Sequence, residues 1–246
     1  GVVLTEAGEA FLIDARRLLE SAGQAIANAQ SAGRGETGQL NIGFTGSAAF
    51  NPVVPRIIRQ FRQSYPGVTL TLSQGNTAEL LDDLKAGRVD VAFVRLGAQS
   101  PAGMTFHHIA AERMRLVLPA THRLARKQRI KLEMVDGEPF VLLPRDVSPT
   151  LHDVIVGACR YAGYEPVLGQ QAPQLSSVVN FVAAEFGVSL VPASVCQIQV
   201  EGVVYADVAG ANITIRLALA SQAQAKASKV ENFLAIARQL TAPAAS

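Results

Sequence analysis

The fold of this chain is decided by residues 40–94, LNIGFTGSAAFNPVVPRIIRQFRQSYPGVTLTLSQGNTAELLDDLKAGRVDVAFV. Short unbroken apolar runs predict three buried strands, and apolar residues spaced by three and four predict two helices between them. Tyr65-Pro66-Gly67 and Gly87 interrupt the pattern. The β-α-β-α-β order predicts a parallel sheet covered by helices on both faces. The strands are predicted at 40–44, 68–72 and 89–94, and the helices at 52–64 and 77–84.

A second α/β set follows a strand predicted at 112–119 and a polar segment at 122–131. We therefore expect two similar Rossmann-like lobes, joined by two crossings of the chain near 115–119 and 216–220. A cleft between two lobes is a common place for a small ligand. The second set has strands at 140–143, 167–170, 188–191 and 213–220 and helices at 151–162, 175–185 and 229–240.

The first thirty residues predict one long helix, with Thr5 as its N-cap and Glu6 and Glu9 near the positive end of its dipole. A narrow apolar seam of this kind lets helices pair with one another, although it also suits packing on the helix's own domain. Pairing is favoured because the Gly-rich polar stretch 31–38 follows the helix. The seam consists of Phe11, Ala15, Leu18, Ala22 and Ile26.

Composition narrows the classes of protein. Hydrophobic residues make up 49% of the 246 residues and charged residues 17%, which indicates a globular chain. No apolar run is long enough to span a bilayer and no signal segment opens the chain, so we expect a cytoplasmic protein without a membrane partner. The net charge is +2, and the basic stretch 122–129 is interpreted as a solvated turn rather than a phosphate contact.

Motifs for catalysis or metal binding are not recognised. Ser189 and Ser194 lack a Gly-x-Ser-x-Gly elbow, and no Gly-rich phosphate loop follows a strand. The four histidines lack metal-ligand spacing, and Cys159 and Cys196 are far apart in apolar stretches. We predict neither an enzyme nor a metal or cofactor site.

Three places are candidates for ligand binding. Hydroxyls and free N–H groups at Thr45-Gly46-Ser47, before a helix, suit an anion, although the same residues suit a simple capping turn. Thr77 is predicted to cap the next helix at a strand's carboxyl end, where ligands gather in open sheets. Arg95 follows a buried strand, so it either pairs within the protein or clamps a carboxylate.

The opening of the chain resembles the LysR-type transcriptional regulators. The resemblance lies in VLTEAGEAF at 3–11, followed by ARRLL at 15–19, and it continues along essentially the whole chain. Further matching segments are GQLNIG at 38–43, YPGV at 65–68, LKAGRVDVA at 84–92 and EFGVSLVP at 185–192.

The resemblance implies the type II periplasmic-binding-protein fold preceded by a linker helix. It divides the chain into the end of a wing, linker helix and hinge at 1–38, lobe I at 39–116 and 217–246, and lobe II at 117–216. It implies a homodimer or homotetramer that binds promoter DNA through a head upstream of this chain, with RNA polymerase as a further candidate partner. A periplasmic solute-binding protein of the same fold, serving a transporter, is the alternative.

Within the family, the resemblance is to the muconate- and benzoate-responsive branch that controls aromatic-compound breakdown. Thr77 and Arg95 align with ligand-contacting positions there, and Pro149-Thr150-Leu151 resembles the loop that opens the branch's second lobe. We therefore expect a small organic acid between the lobes. Its carboxylates would meet Ser47, Thr77 and Arg95, and Leu151 would cover its carbon skeleton.

Overall fold

The computed structural model describes residues 1–97, 101–224 and 227–242. It opens with helix α1 (Glu6–Gly33), and the Thr5 hydroxyl accepts a hydrogen bond from the N–H of Gly8 at 3.2 Å, which confirms the predicted cap. None of the 28 residues of α1 is buried. The helix therefore makes little contact with the rest of the chain.

Lobe I is built on three parallel strands in the order β2-β1-β3, flanked by antiparallel β10. Helices α2 and α6 pack on one face of this sheet, and α3 packs on the other. Helices thus cover both faces, as predicted. The elements are β1 (Thr37–Phe44), α2 (Val53–Ser64), β2 (Gly67–Gln74), α3 (Thr77–Lys85), β3 (Val91–Leu96), β10 (Thr214–Gln222) and α6 (Ser228–Thr241).

Lobe II shares the same sheet through the 16-residue strand β4. The sheet runs β10-β4-β9-β5, with β8 also paired to β4 and with β6 and β7 as a separate parallel pair. Its core packs α4 and α5 against these strands. The elements are β4 (Met104–Pro119), β5 (Arg129–Lys131), β6 (Pro139–Leu142), α4 (Pro149–Tyr161), β7 (Val167–Gln171), α5 (Leu175–Ala183), β8 (Ser189–Pro192) and β9 (Val203–Ala209).

Strand β4 passes from one lobe to the other. It pairs with β10 as far as Arg113. It then pairs with β8 from Met114 onward and with β9 from Arg115 onward. The N–H of Met114 also bonds the carbonyl of Ile213 at 2.8 Å, so the second crossing lies beside the first. Both changes of strand partner lie a few residues before the predicted crossings near 115–119 and 216–220. The division into residues 39–116 with 217–246 and residues 117–216 remains a proposal.

Strands β5 and β9 were not predicted, and β4 is longer than expected. Strand β5 lies at the end of the polar segment 122–131, overlapping at Arg129 the stretch interpreted as a solvated turn, and it forms because Arg129–Lys131 pair in parallel with β9. Strand β4 begins eight residues before the predicted strand at 112–119, because Met104–Arg113 pair with β10. These differences come from pairing with strands distant in sequence, which local patterns do not record.

Glycine secures the junction between α1 and lobe I. Gly35 has φ +70, and a Cβ there would lie 2.3 Å from the backbone nitrogen of Lys229. The Ser228 hydroxyl donates to the carbonyl of Gly33 at 2.7 Å, and the Asn232 amide donates to that of Arg34 at 2.9 Å. The end of α1 is thus attached to the start of α6.

Candidate functional site: the cleft between the lobes

A cleft of about 630 Å³ lies between the two lobes. The carboxyl ends of the parallel strands of lobe I open into it from one side, and turns of lobe II close the other. Open α/β sheets bind ligands outside the carboxyl ends of their strands, so this is where the fold places a ligand site. Lobe I contributes residues 45–47, 49–50, 74–77, 79 and 95, and lobe II contributes 143, 146–150 and 173–176.

Three helices begin at the cleft. Helix α3 enters from lobe I, and α4 and α5 enter from lobe II, with 9, 13 and 9 residues respectively. The first N–H groups of a helix have no partner within it, and the helix dipole makes that end positive. Neither Ser148 before α4 nor Gln174 before α5 caps its helix through a side-chain hydrogen bond. The convergence of these ends favours an anion in the cleft.

The start of α3 differs from the prediction. Asn76, not Thr77, is the N-cap: its side chain accepts from the N–H of Glu79 at 2.9 Å, and the Glu79 carboxylate accepts from the N–H of Asn76 at 2.9 Å. This reciprocal pair satisfies two backbone donors. Thr77 is therefore the first helical residue, and its hydroxyl is not used for capping.

Thr45 carries a buried hydroxyl at the floor of the cleft. The residue is 7% exposed, and its N–H bonds the carbonyl of Phe93 at 3.0 Å. Among the described residues, its Oγ1 finds no hydrogen-bond partner. A buried polar atom without a partner is costly, so this hydroxyl is suited to a polar group of a ligand.

Arg95 pairs within the protein. Its guanidinium lies 2.7 Å from the carboxylate of Glu112, in ion-pair contact without hydrogen-bond alignment. It also donates to the hydroxyl of Ser47 at 3.1 Å and to the Ser47 carbonyl at 3.0 Å. Arg95 is 2% exposed. Of the two alternatives, the structure therefore favours the internal salt bridge, although Arg95 still borders the cleft.

Contact between Arg95 and Glu112 opposes the effect of burial on the pKa of each group. Burial lowers the pKa of Arg95, but the Glu112 carboxylate opposes this change. Burial raises the pKa of Glu112, but Arg95 together with hydrogen bonds from Ser194 and Asn51 outweighs it, so the pKa lies below its usual value. The N–H of Ser194 reaches Glu112 at 3.2 Å. Because Glu112 neutralises Arg95, the positive field in the cleft comes mainly from the helix ends.

Leu151 requires a correction. It is 2% exposed and belongs to the hydrophobic core of lobe II, outside the residues that line the cleft. As the third residue of α4, it points toward the core beside Ile155 and Cys159, because these positions share the apolar face of that helix. The other predicted positions border the cleft, namely Thr45, Gly46, Ser47, Thr77, Arg95, Pro149 and Thr150.

Several lining residues were missed. Two of them, Gln74 and Gln174, stand at strand-to-helix turns of the same type as the turn that led to Thr77. Applying the strand-end rule to the turn between β7 and α5 would have found residues 173–176. Phe50 belongs to a 3₁₀ turn at 48–50, which carries no recognisable apolar period.

The chain has two α/β lobes that share one sheet, a cleft at the strand ends and a long exposed leading helix. These features define a ligand-binding domain of the type II periplasmic-binding-protein class. Residues 33–242 match the family model described as the LysR substrate binding domain. The chain therefore belongs to the LysR family of transcriptional regulators.

Two relatives support the assignment to this family. The HTH-type transcriptional regulator BudR of Raoultella terrigena is 34% identical over 234 residues, which cover 95% of this chain and 81% of BudR. TfdS of Cupriavidus pinatubonensis (strain JMP 134 / LMG 1197), also an HTH-type transcriptional regulator, is 33% identical over 239 residues, covering 97% of this chain and 80% of TfdS. These relatives are regulators rather than enzymes, and the transport-receptor alternative is set aside.

Solved structures of the family share the fold. The crystal structure of CbnR, a LysR family transcriptional regulator, superposes with a TM-score of 0.82 at 28% identity, covering 97% of this chain and 82% of that one. The BenM effector binding domain with its effector benzoate has a TM-score of 0.72 at 26% identity, covering 82% of this chain and 91% of that one.

No described helix is long and apolar enough to cross a membrane. Within the same ranges, no group of three or more His, Cys, Asp or Glu is placed to hold a metal ion.

Proposed function

We propose that this chain senses a small organic acid, which binds in the cleft and thereby controls transcription. The observation that carries the proposal is that the N-termini of α3, α4 and α5 line the same cleft as the Thr45 hydroxyl, which has no hydrogen-bond partner among the described residues. Backbone N–H groups and hydroxyls at helix starts bind carboxylates without a free side-chain cation. This fits a cleft whose arginine is already paired.

The shape of the acid is constrained by the other lining residues. Glu79 and Asp146 also border the cleft, and a second carboxylate near them would be repelled. Phe50, Val147 and Leu175 contribute apolar surface. We therefore propose an acid with its charge at the helix ends and a compact apolar skeleton beyond it. Benzoate, the effector bound to the BenM domain, has this form.

Thermal unfolding with a panel of acids tests the proposal, with benzoate and cis,cis-muconate tried first. A ligand at one hundred times its dissociation constant adds about 2.7 kcal/mol to the free energy of unfolding. A saturable increase in the melting temperature with one acid supports the proposal. An unchanged melting temperature with every acid in a wide panel counts against it.

The variant Thr45→Val locates the site. Valine keeps the volume of threonine and removes the unpartnered hydroxyl, so the free protein keeps or gains stability. The response to the acid falls, because one hydrogen bond is lost. Thr69→Val, on the exposed part of β2 and outside the cleft, is the matched control and keeps the full response. Equal responses in both variants would place the acid elsewhere.

The partners follow from the family. We propose that chains pair through α1 and bind promoter DNA through a head outside this chain, as CbnR has been crystallised with its target DNA. Ligand binding would shift the population of lobe arrangements and so the geometry of the paired helices. The shift is limited by the difference in the acid's affinity for the two arrangements. RNA polymerase is a further proposed partner.

A further inference from the structure

A second hollow, of about 520 Å³, lies where the chain crosses between the lobes. One wall is β4 at the point where it exchanges β10 for the strands of lobe II. Another wall is the loop 210–213, which carries the chain back to lobe I. Strands β5 and β9 of lobe II complete it through Arg129, Asp207 and Val208.

Two arginines and one carboxylate line this hollow, namely Arg113, Arg129 and Asp207, and a third arginine, Arg115, pairs with that carboxylate. Arg115 and Asp207 are direct neighbours on β4 and β9 and form an ion pair at 3.1 Å. Arg129 is the direct neighbour of Asp207 on the other side, on β5. Arg113 lies two residues before Arg115, on the same face of β4, because side chains alternate along a strand. Three positive groups thus lie on the strands at this hollow, with one negative group among them.

The excess positive charge is not neutralised inside the described part of the chain. There, neither Arg113 nor Arg129 lies within ion-pair distance of a carboxylate, and both side chains are exposed. The Nε of Arg115 is buried and has no hydrogen-bond partner among the described residues. Like charges that line one hollow repel one another. The cluster would therefore be stabilised by an anion.

We propose that this hollow is a second anion site, separate from the cleft, for a compact polyanion of the phosphate-bearing class. Asp207 offsets one of the three guanidinium groups, so the remaining excess of two positive charges matches a ligand with at least two negative charges. Exposed guanidinium groups bind phosphate oxygens through paired hydrogen bonds. The volume is within the range of small-molecule sites.

The position of the site gives it a role in the motion of the lobes. An anion there contacts β5 and β9 of lobe II together with both segments that join the lobes. If the lobes rotate, the distance between Arg113 and Arg129 changes, since the first lies at the crossing and the second on the edge of lobe II. The anion therefore favours one lobe arrangement, provided that it binds the two with different affinity.

Calorimetric titration with inorganic pyrophosphate, at constant ionic strength against sodium chloride, tests the site. Wild-type protein is expected to bind one pyrophosphate per chain. The double variant Arg113→Gln/Arg129→Gln should weaken this binding at least about tenfold, because each substitution removes a charge-assisted hydrogen bond to the anion. The control Arg126→Gln/Lys127→Gln changes the net charge equally outside the hollow and should keep the wild-type affinity.

A second variant is expected to change the affinity for pyrophosphate in the opposite direction. Asp207→Asn removes the one carboxylate of the hollow and should tighten pyrophosphate binding at least about threefold. An unfolded or loosened protein would not bind more tightly, so this arm separates binding from stability. Absence of binding to the wild type, or equal weakening in the two double variants, would overturn the proposal. The response to cleft acids is measured separately in the same variants and should be unchanged.

Discussion

At the scale of single residues, Arg95 shows how burial changes the role of a charge. An arginine after a buried strand invites a ligand carboxylate, but here Glu112 and Ser47 occupy its guanidinium group. The pair is almost fully enclosed, so each partner is needed to keep the other from being a lone buried charge. Loss of binding in an Arg95→Ala protein would thus be difficult to separate from loss of folding.

A double-mutant cycle on Arg95 and Glu112 makes this separation. Arg95→Met should cost about 3–5 kcal/mol of unfolding free energy, because it leaves the Glu112 carboxylate buried and unpaired. Arg95→Met/Glu112→Gln should cost less than Arg95→Met alone, since the glutamine carries no charge. Chemical denaturation of the wild type, Arg95→Met, Glu112→Gln and the double variant measures the coupling. Additive costs would contradict the description of the two residues as one buried pair.

At the scale of secondary-structure elements, the start of α3 joins stability to ligand binding. Asn76 caps this helix and also lines the cleft. A substitution at Asn76 can therefore preserve the cap of α3 and still change the electrostatic field in the cleft. Two substitutions of Asn76 are expected to affect the two properties separately.

Asn76→Asp should keep the stability of the protein close to that of the wild type, because aspartate and asparagine are comparable N-caps. It should nevertheless weaken binding of an organic acid, because it adds a negative charge to the cleft. Asn76→Ala should cost about 1 kcal/mol of stability through loss of the cap. Unfolding and acid titration of both variants check these outcomes. Unweakened binding in Asn76→Asp would indicate that the acid does not approach α3.

At the scale of the whole molecule, α1 is a long helix that contributes no buried residue to the hydrophobic core. Phe11, Leu18 and Ile26 are 75%, 71% and 60% exposed, and together with Ala15 and Ala22 they lie along one side of the helix. Burying this side against a second copy would remove apolar surface from water. The fold of one chain thus leaves the predicted pairing seam free for a partner helix.

Leu18→Glu should shift the chain toward a smaller oligomer, because a carboxylate in an apolar helix seam is costly to bury. Gln24→Glu introduces the same charge six residues later, about two thirds of a turn around the helix and away from the seam, and should leave the oligomer intact. Sedimentation velocity over a range of protein concentrations distinguishes the two. The same oligomeric state in both variants would argue against pairing through this seam.

The order of the elements could be predicted from the sequence because each apolar pattern is local. The helical spacing at 52–64 and the strand run at 40–44 were both recognised close to their observed bounds. Strand β5 was missed because its three residues become a strand only by pairing with β9. Helix α4 was recognised, but the sequence did not show that Leu151 lies on its core side rather than toward the cleft.

By itself, the sequence determined the α/β class, the two-lobe succession and the family, because propensities, turns and motifs are properties of neighbouring residues. Only the tertiary structure decided which groups meet. Arg95 faces Glu112 because β3 and β4 lie on either side of β10 in one sheet. Arg113 and Arg129 border one hollow although sixteen positions separate them. Charge pairing and ligand geometry act through space, and the distances that govern them exist only once the chain has folded.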